Sequence, residues 1–92
     1  MTTKAAGPVP ITGTGQVGAA GPGRLMGYSI RDTSGATNTV KLFDGTSAAG
    51  TILGAFQLAA NADRSISIPA GLFFRLGVFA STTGAVEGSV WV

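Results

Sequence analysis

Ser65-Ile66-Ser67-Ile68, followed by Pro69-Ala70-Gly71, is the stretch that decides the fold class. Successive side chains of an extended strand point to opposite faces, so this run sets two isoleucines on one face and two serines on the other. Such a strand has one dry side and one wet side, and Pro69-Ala70-Gly71 breaks it from the next.

The same cadence extends in both directions. From Arg24 onward, short apolar runs alternate with clusters of Gly, Asp, Asn, Ser and Thr, and no stretch keeps a 3.6-residue period long enough for a substantial helix. Strands are predicted at Leu25 to Asp32, Thr39 to Phe43, Thr51 to Leu58, Ser65 to Ile68, Leu72 to Ala80 and Ala85 to Val92, with a short one near Gln16 to Ala19. Asp32 to Asn38 and Asp44 to Gly50 carry the turn formers between them. The expected fold is all-β, a small antiparallel β-sandwich or barrel over residues 24–92.

The last two strands predict a hairpin. Thr82-Thr83-Gly84 has the length and the glycine of a type I turn with a bulge. That register sets Phe74, Leu76, Val78 and Ala80 opposite Val92, Val90, Gly88 and Val86 on the core side. Arg75 then meets Trp91, and Phe79 meets Glu87, on an outer face bearing Phe73, Arg75, Phe79 and Trp91. A guanidinium stacked on an indole either shields the ring from water or belongs to a partner contact, since Arg and aromatics populate interface centres.

Residues 1–23, rich in Gly, Ala, Pro and Thr, read as an extended arm outside the core. Fully extended, the arm would reach roughly 75 Å. Val9, Ile11 and Val17 are apolar enough to dock on a neighbour. Gly13, Gly15 and Gly18 spell G-x-G-x-x-G, but Gly21-Pro22-Gly23 forbids the helix that a dinucleotide site requires. Gly18 to Gly23 holds only two collagen-like triplets, too few for a triple helix.

Composition narrows the function. Of 92 residues only 11% are charged and 45% are apolar, so the surface is short of charge and part of it is expected to meet protein. Six cationic residues are scattered singly against four acidic ones and form no basic stripe, which argues against nucleic acid. There is no Cys for disulfides or thiolate ligands, and no run of 18 apolar residues to span a bilayer. The N-terminal residues lack the apolar run of a secretory signal, so a soluble cytoplasmic product is expected.

With neither His nor Cys, the hydroxyls lack a base, and no catalytic residue, cofactor or metal site is expected. Asp32, Asp44, Asp63 and Glu87 are isolated in sequence and read as surface charges. Trp91, Phe73 and Phe79 could also form an aromatic platform for a carbohydrate, although the outer face offers few convergent polar groups.

Arg24-Leu25-Met26-Gly27-Tyr28-Ser29-Ile30-Arg31-Asp32-Thr33, Val40-Lys41-Leu42-Phe43-Asp44-Gly45, Gly71-Leu72-Phe73-Phe74 and Val86-Glu87-Gly88-Ser89-Val90-Trp91-Val92 carry a further signal. Together they resemble small virion proteins of tailed bacteriophages, especially phages of actinobacteria, over Arg24 to Val92. The resemblance implies a β-rich subunit on the particle, a head decoration or minor capsid protein in many copies, with trimers the expected state. Its partners would be the major capsid protein or other virion subunits, with no nucleic acid and no membrane. A tail or fibre adaptor is the alternative within structural proteins. The arm would then lie along a neighbouring subunit and reinforce the shell.

Overall fold

The computed structural model describes residues 7–18 and 20–92, and it is all-β, with two four-stranded antiparallel sheets packed face to face. The strands are Pro8–Pro10 (β1), Gly15–Val17 (β2), Gly23–Asp32 (β3), Asn38–Asp44 (β4), Thr51–Leu58 (β5), Asp63–Phe74 (β6), Val78–Thr82 (β7) and Val86–Trp91 (β8). The first sheet runs β1-β8-β3-β6 and the second β2-β7-β4-β5. Consecutive strands therefore change sheet at every connection except β4 to β5, which form a hairpin.

Alternation places the core between the sheets. Leu25, Ile30, Val40, Leu42, Leu58, Val78, Ala80 and Val90 point inward and are fully buried. Tyr28 and Phe56 stack across the gap between sheets, with ring centroids 5.1 Å apart and planes 5° from parallel. The Arg64 guanidinium lies 5.3 Å from the Phe56 ring centre and covers this stack at the rim. On the outer face of the first sheet Ser29 and Ser65 share a 2.9 Å hydrogen bond across β3 and β6.

The N-terminal segment corrects one expectation. It runs extended, but its described residues lie within the sheets and not beside them. Pro8, Val9 and Pro10 pair with Trp91, Val90 and Ser89, while Gly15, Gln16 and Val17 pair with Ala80, Phe79 and Val78. Ile11 and Val17 are core residues at 2% and 4% exposure. The expected boundary between an arm of 1–23 and a domain of 24–92 falls at the start of β3, which begins at Gly23. The physical reason is simple: without these two short strands, β7 and β8 would be bare edges over exposed core. Residues 1–6 and Ala19, at the end of the predicted Gln16 to Ala19 strand, lie outside the described residues.

The strand expected at Thr51 to Leu58 is found with those bounds, and β3, β4 and β8 each fall within two residues of expectation. Pro69-Ala70-Gly71 does not break a strand. Ile68 to Gly71 stand opposite Met26 alone and form a bulge inside β6, where Gly71 takes a φ of 74° and a Cβ would strike the Met26 sulfur. Proline is tolerated because β6 is an edge strand. The true break comes at Arg75-Leu76-Gly77, where the chain leaves the first sheet for the second.

The expected hairpin of the last two strands is also overturned. β7 pairs with β2 and β4, whereas β8 pairs with β1 and β3, so Thr83 to Ala85 form an arch between sheets. Gly84 is not in the left-handed conformation that the turn required. Instead the Asn38 side chain holds the arch. Its oxygen accepts the Thr83 and Gly84 amides, each at 3.2 Å, and its nitrogen donates to the Ala85 carbonyl at 3.2 Å. Phe79 consequently meets Phe43 and Gln16, and Glu87 meets Arg31.

Candidate functional site

The antiparallel strands give the sandwich two unlike ends. One is formed by the connections 33–37, 59–62 and 83–85, and it is organised by the buried pair Asp32 and Asn38. The Asp32 carboxylate accepts the Ser34 hydroxyl at 2.6 Å, the Ser34 and Gly35 amides at 3.1 Å, the Asn61 amide at 2.9 Å and the Asn38 side chain at 3.0 Å. These donors, the Ser34 hydroxyl foremost, hold its carboxyl well below the usual carboxylate range. Asp32 is thus no surface charge, contrary to expectation. It ties two loops together directly and the third through Asn38, and a left-handed Asn61 at φ 59° presents its amide to it.

The other end comprises the Asp44–Gly50 loop, the Arg75–Gly77 crossover, Gly18 and Ala20–Pro22, and the paired tips of β3 and β6. Here the Asp44 carboxylate does structural work: it accepts the Arg75 amide at 3.0 Å and the Leu76 amide at 2.9 Å, and Gly45 donates to the Gly77 carbonyl at 3.1 Å. The clasped crossover and the preceding tip of β6 carry exposed apolar side chains. Leu76 and Phe73 are each 59% exposed, and Leu72 is 37% exposed.

Ile52 joins this end for a different reason. Inward-facing Phe56 and Leu58 predict an inward Ile52 by strict alternation, but Leu53 is an extra residue between the pairs Leu42–Gly54 and Phe43–Ile52. The bulge reverses parity, so Leu53 packs on the core and Ile52 is 53% exposed. Arg24 and Arg75 supply exposed cations here, and Arg24 donates to the Ala70 carbonyl at 2.9 Å. This end therefore combines apolar side chains with two cations, and its one acidic side chain among the described residues, Asp44, is occupied by backbone amides.

The residues expected at a partner surface are dispersed. Phe73 and Arg75 come to this apolar end. Val9 is half-buried against the core, and Ile11 and Val17 are inside it, so neither of those two is available to a partner. Trp91 lies half-buried on the outer face of the first sheet, over Gly27, where an added Cβ would meet its ring at 2.7 Å. Phe79 lies on the outer face of the second sheet beside Phe43. Trp91 and Phe79 therefore face opposite ways and form no common platform. Arg75 does not pair with Trp91; the guanidinium that stacks on a ring among the described residues is Arg64.

Leu76, Ile52, Leu72 and Arg24 were not anticipated at a surface site. Leu76 followed by Gly77 inside an apolar run was the available signal for a crossover. No family model, curated protein or solved structure matches the chain.

Proposed function

We propose that the chain is a structural virion subunit that binds the outer surface of a particle in many copies, as a capsid decoration or minor capsid protein. The observation that carries this reading is that Phe73, Leu76 and Ile52, three large apolar side chains on segments bordering one end of the sandwich, are each more than half exposed. Their exposure costs solubility in the free protein and is repaid only when a neighbouring subunit covers them. The resemblance of residues 24–92 to small virion proteins, and a chain with 11% charged residues, point the same way.

Covering each such side chain contributes on the order of 1 kcal/mol or more, so a single contact is modest and repetition over a lattice makes it useful. The rebinding of purified protein to particles stripped of it tests the reading. The double variant Phe73→Ser with Leu76→Ser is expected to bind about tenfold or more weakly while its melting temperature stays within a few degrees of the parent. Equal binding by parent and variant would remove the apolar end from the interface, and failure of the parent to bind any particle would remove the virion role itself.

A further inference from the structure

Because β8 lies between β1 and β3 and not beside β7, the neighbours of Trp91 are not those the expected hairpin gave it. The register of β8, β3 and β6 sets three rows of side chains across the outer face of the first sheet. Trp91, Gly27 and Ser67 form one row, Ser89, Ser29 and Ser65 the next, and Glu87, Arg31 and Asp63 the third. Polar groups that the hairpin register left elsewhere thus converge on one side of the indole.

Each row has a chemistry. The six-membered ring of Trp91 overlies buried Gly27, where an added Cβ would meet Cε3 and Cζ3 at 2.7 and 3.0 Å. Covering a strand glycine explains where the ring lies, but not the serines that accompany it. Strands favour β-branched and aromatic residues, and four serines forgo that packing, a local departure of the kind found at functional sites. Their hydroxyls both donate and accept, and the 2.9 Å bond between Ser29 and Ser65 fixes two of them. Beyond them Arg31 lies 3.8 Å from Glu87, both well exposed, with Asp63 on the other side of Arg31.

Trp91 and Glu87 stand four residues apart on β8, roughly 13 Å, and the serines form a low floor between them. One aromatic surface for C–H groups, beside short hydroxyls, a guanidinium and two carboxylates, matches a molecule that is apolar on its ring faces and hydroxylated at its rim. Two carboxylates against one cation give the face a net negative charge, which disfavours phosphate- or sulfate-bearing polymers.

We propose that this face binds a short neutral oligosaccharide, with one sugar ring on Trp91 and the hydroxyls of the next met by the serine and charged rows. The site goes beyond the virion reading and does not depend on it.

Trp91 is the only tryptophan, so its emission reports the site directly. The probes are neutral tetrasaccharides of glucose, galactose, mannose and N-acetylglucosamine, with a sulfated heparin tetrasaccharide for contrast, each titrated by fluorescence and calorimetry. At least one neutral probe is expected to shift the emission to the blue and to saturate below about 10 mM, with the sulfated probe inert. Ser29→Val, which fills the floor with methyl groups, is expected to weaken binding about tenfold or more with the melting temperature unchanged, and Trp91→Ala to abolish the calorimetric signal. Should Trp91→Ala misfold, Ser29→Val still decides. The double variant Phe73→Ser with Leu76→Ser is expected to bind saccharide as the parent does, so failure on particles and failure on sugars are separable. A parent unmoved by every neutral probe, a response to the sulfated probe alone, or folded Ser29→Val with the parent's affinity would each overturn the proposal.

Discussion

Truncating Ile11 to Ala separates a core strand from a docking arm. Ile11 is 2% exposed, its amide donates to the Gly88 carbonyl at 3.1 Å, and its side chain belongs to the central apolar cluster. The substitution removes three buried carbons, about 2.4 kcal/mol at about 0.8 kcal/mol each, and the cavity left behind raises the loss to about 3 kcal/mol. For a domain of this size, about 1 kcal/mol shifts the melting temperature by about 4–8 °C, so the expected drop is about 12–24 °C. Thermal unfolding followed by circular dichroism measures it, with the exposed neighbour Thr12→Ala as a control expected to change stability by less than about 0.5 kcal/mol. A melting temperature for Ile11→Ala within about 2 °C of the parent would refute the reasoning. It would mean that residues 8–17 contribute no core and act as the arm their composition suggests.

Three further outcomes follow from the loop network and the outer face. Asn38→Ala strands the Gly84 amide, leaves the Thr83 amide only the Thr39 carbonyl, and removes a donor from Asp32, so chemical denaturation is expected to show a loss of about 2–4 kcal/mol. Because the folded carboxyl of Asp32 titrates below its unfolded value, its contribution is fully present above the usual carboxylate range and is lost as pH falls below about 4. Melting temperatures from pH 6 to pH 2 should therefore fall more steeply for the parent than for Asp32→Asn, and parallel curves would exclude Asp32 as the acid-sensitive group. Gly27→Ala forces a Cβ against the Trp91 ring and the Ile66 carbonyl, with an expected cost of about 1–3 kcal/mol and a red shift of Trp91 emission as the indole lifts off the sheet.

Much of the architecture was legible locally. Alternation in Ser65-Ile66-Ser67-Ile68, turn formers between apolar runs and the lack of a helical period were enough for an all-β sandwich, and β5 was located to the residue. The exposure of Phe73 and Arg75 was also readable, since neither was assigned to the core face of the expected hairpin. Leu76 was not, because an uninterrupted strand from Leu72 to Ala80 would have turned it inward. Ile52 escaped for a related reason: one unpaired residue, Leu53, reverses the face of everything before it, and no composition marks that bulge.

Sequence by itself determined which segments are extended, that turns lie after Asp32 and after Asp44, and that the inventory lacks the groups for catalysis by histidine or cysteine. Tertiary structure decided which strand pairs with which. Alternation reads the same whether Thr82-Thr83-Gly84 folds β8 back beside β7 or carries it across to the other sheet. Asn38, distant in sequence, selects the arch by holding three residues of the connection, and Asp44 likewise sets the crossover at Arg75 and Leu76. Side-chain periodicity is a local property of the extended backbone, whereas strand partnership rests on contacts between residues tens of positions apart, and it is partnership that turns Ile11 inward and separates Trp91 from Phe79.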